Sequence, residues 1–187
     1  MARPSKRSER YEAAAESMGW RQLRELWTKI QSGSVDGWEN GKAFEHLIVR
    51  GFRLSKLRAE YPFDVPPGGK PLEQIDGLVE LDGITFLIEC KDRDVVDIET
   101  IAKLRNQLLR RPETTMGCIF VDGEFTEPAL TLADFSVPHR ILLWPQDDIE
   151  RCLREKDFQS TLRSKYNHLC KYGLTDLSPH FREFKAS

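Results

Sequence analysis

The chain has 187 residues, of which 40% are hydrophobic and 31% are charged. This length suits one domain with a single core, and the composition excludes a disordered tail or a low-complexity linker. The formal net charge of −2 also excludes a uniformly basic protein that wraps nucleic acid. No run approaches the roughly 18 apolar residues of a membrane span. Because the N-terminus lacks an apolar secretion signal, we expect a cytoplasmic protein that does not enter a membrane.

The first third of the chain predicts helices. A basic arm at residues 3–10 leads into an amphipathic segment from about residue 9 to residue 31, which we expect to be one helix. A Gly- and Ser-rich cluster follows, and a second helix is predicted from about residue 38 to residue 50. We expect Gly51 to end this second helix and residues 52–54 to form a short strand.

The middle of the chain predicts a β-hairpin. Residues 61–71 are rich in proline and glycine, which favours a long loop. Two strand-like runs follow, at residues 74–81 and 84–91, and Asp82-Gly83 joins them. Asp-Gly favours a type I′ turn, so Leu81 is expected to lie opposite Ile84.

Strands and helices alternate in the remainder. Helices are expected at residues 97–110 and 126–133, strands at 117–121 and 140–144, and helical structure from Asp147 to about Gly173. This order predicts an α/β fold in which a mixed sheet is covered by helices on both faces.

The hairpin register brings two carboxylates together. Counting outward from the turn places Asp76 opposite Glu89, on a face that also carries Gln74 and Lys91. The opposite face is apolar and consists of Ile75, Gly77, Val79, Leu81, Ile84, Phe86, Ile88 and Cys90. Directly opposed like charges are destabilising, and a divalent cation would relieve the conflict. Mg²⁺ binds one or two protein carboxylates and leaves positions for water and phosphate oxygens.

A solvated hairpin face is the alternative interpretation. The cross-strand pair Leu78 and Leu87 lies on the same polar face and requires a cover, which argues against it. Nine acidic and two basic residues also lie between Glu73 and Glu99, with basic strips on either side at residues 50–58 and 103–111. An acidic centre between basic strips suits a phosphodiester backbone.

One predicted helix carries candidate phosphate contacts. Lys103, Gln107 and Arg110 share the helix face away from the apolar stripe, as phosphate-binding side chains should. An ordinary solvated helix face explains any one of these residues equally well.

The pattern Asp76, twelve intervening residues, then Glu89-Cys90-Lys91 resembles the Asp…Glu-x-Lys signature of the PD-(D/E)xK nuclease superfamily. Glu45 lies on the preceding helix, where these nucleases often carry an acid. Segments 116–130 and 140–144 resemble the later core of Mrr-like, type IV restriction endonuclease domains. The resemblance implies a three-layer α/β/α restriction-endonuclease-like fold, with a basic arm and helix at 1–36, a nuclease core at 37–152 and a helical extension at 153–187.

The resemblance also implies an activity, namely Mg²⁺-dependent hydrolysis of DNA phosphodiesters in restriction, defence or repair, with Mn²⁺ as a substitute ion. Asp76, Glu89 and the backbone carbonyl of Cys90 would hold the ion. Lys91 would orient the attacking water or neutralise phosphoryl charge, and Glu45 would contact water at the ion or a second ion. Gln74 would touch the substrate. The Cys90 side chain is expected in the core rather than as a nucleophile.

Two other functions stay open. One is a catalytically silent DNA-binding or assembly module of the same fold, and the other is an RNA-directed nuclease. The intact set of two acids and a lysine argues against the silent module. Since cutting both strands of a duplex usually requires two active sites, we expect a homodimer.

Overall fold

The computed structural model describes residues 6–33, 35–65, 73–92, 95–136 and 140–175. The start of the expected basic arm and residues 66–72 of the expected loop lie outside these ranges. The helices are α1 (Lys6–Glu16), α2 (Trp20–Gln31), α3 (Lys42–Leu54), α4 (Ile98–Leu108), α5 (Glu127–Asp134), α6 (Gln146–Glu155) and α7 (Gln159–Tyr172). The strands are β1 (Arg58–Glu60), β2 (Phe63–Val65), β3 (Glu73–Ile75), β4 (Gly77–Leu81), β5 (Ile84–Lys91), β6 (Val95–Val96), β7 (Met116–Val121), β8 (Glu124–Phe125) and β9 (Ile141–Trp144).

A mixed five-stranded sheet forms the centre of the fold. Its strand order is β1-β4-β5-β7-β9, in which β1, β4 and β5 pair antiparallel while β5, β7 and β9 pair parallel. Helix α4 connects the parallel strands β5 and β7, and α5 connects β7 and β9, as parallel pairing requires. The expected α/β fold with a mixed sheet is confirmed.

The β4–β5 hairpin has the predicted register. Gly77 pairs with Ile88, and Leu81 pairs with Ile84. Asp82 and Gly83 have φ angles of 52° and 82°. Positive φ at both central residues is the requirement of a type I′ turn, which explains the Asp-Gly sequence at this position.

Two apolar layers cover the sheet. Phe86 and Ile88 of β5 belong to a core cluster that includes residues of α2, α3, α6 and α7. Leu87, between them, belongs to a second cluster with residues of α4 and α5, and Leu78 packs against that cluster. Successive side chains of β5 therefore point alternately into the two layers. The Leu78–Leu87 pair is covered by the α4 side, and the three-layer α/β/α arrangement is confirmed.

The prediction that Gly51 ends a helix is wrong, and so is the strand predicted at residues 52–54. Helix α3 continues through Gly51 to Leu54. A Cβ atom added to Gly51 would lie 2.7 Å from the ring of Phe158, so this glycine permits close packing within the helix. The helix stops just afterwards, where Lys56 has a φ of 66°.

Three other expectations need correction. The single helix expected at residues 9–31 is two helices, because Gly19 is extended between α1 and α2. Residues 63–65 of the expected loop form strand β2, which pairs with β3. The helical structure expected from Asp147 to about Gly173 is present as α6 and α7, with a break at Lys156, which has a φ of 59°. Ile75 lies in the α4-side cluster rather than with Val79, because β3 pairs with β2 in a separate small sheet and the alternation breaks at Asp76.

The N-terminal helices share the main core. Leu23 and Leu26 of α2 are buried in the same cluster as the central strands. The proposed division at residues 36 and 152 stays a prediction. Within the described part of the chain, no helix combines the length and apolar character needed to cross a membrane.

Candidate active site

The predicted acidic pair lies near the carboxyl end of β5. Because strand residues alternate, Glu89 and Lys91 point toward α4, whereas Cys90 lies in the cluster on the opposite face. Glu89 has no exposed surface, and Cys90 is 8% exposed. Burial raises the pKa of the Cys90 thiol well above its ordinary value, so Cys90 is a core residue, as expected, and not a nucleophile.

Asp76 lies at the junction of β3 and β4, across from β5. Its Oδ2 atom accepts a hydrogen bond from the backbone N–H of Cys90 at 2.9 Å. Burial raises the pKa of Asp76, and the negative charge of Glu89 raises it further. The hydrogen bond from Cys90 acts in the opposite sense, since it stabilises the charged form. The two carboxylates are therefore neighbours, as the register predicts.

Two lysines contact Glu89. Lys103 of α4 donates a hydrogen bond from Nζ to Glu89 Oε1 at 2.6 Å. The Nζ atom of Lys91 lies 2.6 Å from the same oxygen. The second oxygen, Oε2, is buried and has no hydrogen-bond partner within the described ranges. A buried carboxylate oxygen without a partner is costly, so it marks a position that a ligand can satisfy.

Glu45 supplies a third carboxylate from the first turn of α3. Lys42 donates to both Glu45 oxygens, at 2.8 and 2.7 Å. Burial, followed by the charge of Asp76, raises the pKa of Glu45 to about 7, although Lys42 lowers it and Glu89 raises it further. Glu45 is thus electrostatically part of the same site as Asp76 and Glu89. A carboxyl that titrates near neutrality can hold or release a proton at working pH.

The site opens to solvent along its lysines. The side chains of Lys42, Lys91 and Lys103 keep 22%, 25% and 49% of their surface exposed. The buried carboxylates therefore lie beneath an accessible rim of ammonium groups. A solvated hairpin face does not fit this arrangement, because Glu89 is fully buried.

Sequence reasoning missed two features of this site. Lys42 was not predicted to take part, although it precedes Glu45 by three residues and so lies on the same helix face. Lys103 was predicted as a substrate contact on α4, but its direct contact with Glu89 depends on how α4 packs over β5. The spacing within α3 could have revealed Lys42, whereas no local pattern reveals the Lys103 contact.

Within the described residues, the other predicted substrate-binding residues form their hydrogen bonds and ion pairs with partners other than the three carboxylates. Gln107 is 5% exposed, so its expected place on the helix face away from the apolar stripe is wrong. Its side-chain amide donates to the backbone carbonyl of Gln74 at 3.3 Å, while the Gln74 side chain is exposed. Arg110 forms an ion pair with Glu73. Substrate contact by Gln74, Gln107 and Arg110 stays a prediction.

The two flanking basic strips are partly compensated by acidic side chains. In the first, Arg50 and Arg53 both pair with Glu16, and Arg58 pairs with Glu80. In the second, Arg110 and Arg111 both pair with Glu73. Each strip therefore keeps a smaller net positive charge than its sequence alone suggests. These acids lie far from the strips in sequence, and the fold brings them together.

The residues present fit a small divalent cation held by two carboxylates. Oxygen atoms of Asp76 and Glu89 are the donors that Mg²⁺ and Mn²⁺ prefer, and Glu89 Oε2 is available. In the described ranges, no group of three or more His, Cys, Asp or Glu side chains is arranged around a common metal position. A site with two protein ligands suits Mg²⁺, which keeps several waters, better than an ion that requires a full protein cage.

The chain is similar to several solved structures. No family model matches the chain, and no curated protein matches it significantly. A protein of unknown function, AF1548, is similar at 20% identity and a TM-score of 0.49, over 70% of this chain and 77% of that one. The DNA modification-dependent restriction endonuclease AspBHI has 15% identity and a TM-score of 0.49 over 91% of this chain. The MspJI restriction endonuclease, in complex with a 27-mer oligonucleotide, has 16% identity and a TM-score of 0.42 over 94% of this chain. The match spans 45% of AspBHI and 40% of MspJI.

Proposed function

We propose that this protein is a divalent-cation-dependent nuclease that hydrolyses DNA phosphodiester bonds, with a role in restriction, defence or repair. One observation carries the proposal. Asp76 and Glu89 are buried neighbours near the carboxyl end of the central strand β5, and the Lys91 ammonium lies 2.6 Å from Glu89. This arrangement supports the resemblance of the sequence to the Asp…Glu-x-Lys signature of the PD-(D/E)xK superfamily.

Each residue has a distinct role in the proposed reaction. Asp76, oriented by the Cys90 N–H, and Glu89 would hold Mg²⁺ or Mn²⁺ together with the Cys90 carbonyl. When bound, the ion would supply Lewis-acid chemistry toward the phosphate and would lower the pKa of a water molecule. Lys91 stabilises negative charge that develops on the phosphoryl oxygens. Glu45, with a pKa of about 7, is suited to accept a proton near the attacking water.

Cleavage of plasmid DNA tests the proposal. The purified chain is incubated with plasmid in Mg²⁺, in Mn²⁺ or in EDTA, beside Asp76→Asn and Lys91→Ala. We expect nicking or linearisation with either cation, none with EDTA, and a loss of about a hundredfold or more in each variant. Asp64→Asn and Lys29→Ala are matched controls, because both residues are exposed outside the site.

Parallel assays separate the alternative functions. Single-stranded RNA and DNA of matched sequence are offered under the same conditions. Preferential cutting of RNA would replace the DNA assignment with the RNA-directed nuclease. Binding of DNA without cutting under every cation tried would favour the silent module. Equal cutting by the wild-type chain and Asp76→Asn would contradict the assigned site.

A further inference from the structure

Lys103 connects helix α4 to the buried carboxylate of Glu89. Its Nζ lies 2.6 Å from Glu89 Oε1, yet its side chain is 49% exposed whereas that of Glu89 is 1% exposed. Helix α4 is anchored on its other side by Ile101, Leu104 and Leu108, all of which are fully buried. The Lys103 ammonium can therefore leave Glu89 for solvent or for another anion without disturbing the core.

Carboxylates and ammonium groups are equal in number at the site. Three carboxylates, Glu45, Asp76 and Glu89, lie with three lysines, Lys42, Lys91 and Lys103. A divalent cation that coordinates Glu89 through the unpartnered Oε2 lies beside two ammonium groups that already contact Oε1, and the like charges repel. It also places an excess of positive charge in a buried site, which is unfavourable unless an anion arrives or an ammonium moves away.

We propose that Lys103 is an exchangeable counter-ion, which pairs with Glu89 in the protein alone and moves to a nucleic-acid phosphate when a divalent cation binds Glu89. The inference rests on the proposed nuclease function. Lys91 follows Glu89 on the same strand and remains beside it, whereas Lys103 reaches the site from a separate helix with a long exposed side chain. Cation and phosphodiester then strengthen each other's binding, and the coupling must be reciprocal. The cation alone binds weakly, so the site is assembled on the nucleic acid.

Isothermal titration with Mn²⁺ tests the exchange on the whole chain. Affinity is measured with and without a mixed-sequence DNA duplex that carries phosphorothioate linkages, which slow hydrolysis. We expect the duplex to raise the Mn²⁺ affinity of the wild-type chain by about tenfold. Lys103→Met should raise the Mn²⁺ affinity without DNA by about the same factor and should remove most of the effect of the duplex.

Two further variants identify the cause. Lys103→Arg keeps the positive charge and should have the Mn²⁺ affinity of the wild-type chain. If Lys103 acted only through the packing of its side chain, Lys103→Met would instead lose stability. Arg105→Met removes a charge from an exposed position on the same helix and should change the Mn²⁺ affinity by less than about twofold, because salt screens distant exposed charges. Thermal unfolding confirms that each variant is folded.

The outcomes distinguish this inference from the proposed function. If Asp76→Asn abolishes Mn²⁺ binding but Lys103→Met leaves the affinity without DNA unchanged or lower, the exchange is overturned and the nuclease site stands. If the wild-type chain and Asp76→Asn bind Mn²⁺ equally, with and without DNA, both are overturned. A tenfold gain in Lys103→Met that is absent from Lys103→Arg and Arg105→Met supports the exchange.

Discussion

The Asp76 carboxylate accepts a hydrogen bond from the backbone N–H of Cys90, 2.9 Å away on the neighbouring strand. This bond joins the last residue before β4 to the residue between Glu89 and Lys91. It holds the carboxylate beside Glu89 although their charges repel, and it leaves Asp76 Oδ1 for another partner.

Two substitutions at Asp76 should therefore have different effects on stability. Asp76→Asn keeps an oxygen for the Cys90 N–H and removes a repelling charge, so its unfolding free energy at pH 7 should equal or exceed that of the wild-type chain. Asp76→Ala leaves a buried N–H without a partner and should be about 1–3 kcal/mol less stable than Asp76→Asn. Urea unfolding measures both, and equal stability of the two variants would show that the hydrogen bond contributes little.

Glu45 and His46 should give stability opposite dependences on pH. The pKa of Glu45 is raised to about 7 chiefly by burial, so its contribution is present below pH 4.5 and is lost as the pH rises toward 7. Burial lowers the pKa of His46 to about 4, so its contribution is present above pH 6.5 and is lost as the pH falls toward 4. In the wild-type chain the two effects oppose each other.

Single variants separate these two dependences. In EDTA, the stability of Glu45→Gln should rise between about pH 4 and pH 6.5, because the dependence due to His46 is then no longer opposed by that of Glu45. The stability of His46→Asn should fall between about pH 4.5 and pH 7, because the raised pKa values of Glu45 and Asp76 then act without the opposing effect of His46. Asparagine can replace the donor that bonds the Lys42 carbonyl at 2.8 Å. Urea midpoints across this range provide the measurement, and parallel curves for the two variants would refute the assignment.

Gly77 should resist substitution because three elements meet there. A Cβ atom at this position would lie 2.7 Å from Val49 Cγ2 and 3.1 Å from the Glu60 carbonyl oxygen. The Glu60 backbone belongs to β1, which pairs with β4, so it cannot withdraw freely. Gly77→Ala should cost about 1–3 kcal/mol in unfolding free energy. It should also reduce cleavage, because Asp76 is the adjacent residue.

A second-site change tests the cause of that loss. Val49→Ala removes the nearest atom, so the Gly77→Ala/Val49→Ala double variant should be more stable than the sum of the single effects predicts. Urea unfolding of the four chains completes the cycle. Strict additivity would mean that crowding by Val49 is not the cause.

The stability of the fold should depend on Lys165 and Asp148 being present together, as a buried ion pair. Lys165 Nζ lies 2.6 Å from Asp148 Oδ2, and both side chains are buried, at 0% and 2% exposure. Arg151 contacts the other carboxylate oxygen at 2.7 Å. Lys165→Met should lower the unfolding free energy by about 3 kcal/mol, because it leaves a buried charge with one partner.

Removing both charges should restore part of that stability. The Asp148→Asn/Lys165→Met double variant has no unpaired buried carboxylate, so it should unfold at a higher urea concentration than Lys165→Met alone. Cleavage of plasmid per folded molecule should be unchanged, since this pair lies among α6, α7 and Trp144 rather than at Glu89. A double variant no more stable than the single one would contradict this account.

Local sequence was sufficient for the features that depend on near neighbours. Asp82-Gly83 specifies a turn with two positive φ angles, and the turn sets the register that brings Asp76 and Glu89 together. Strand alternation likewise places Lys91 beside Glu89 and Cys90 in the core. The mixed sheet with helices on both faces follows from the alternation of strands and helices, because parallel strands require crossovers.

Only the tertiary structure decided which distant charges meet. Glu16 and Glu73 neutralise arginines more than thirty residues away, and Lys103 of α4 reaches Glu89 of β5. Gly51 continues a helix because Phe158, far along the chain, packs against it. Burial, long-range packing and ion pairing depend on how helices dock on the sheet. A local sequence pattern predicts which residues are neighbours along a helix or strand, but it does not predict which distant residues come into contact in the folded protein.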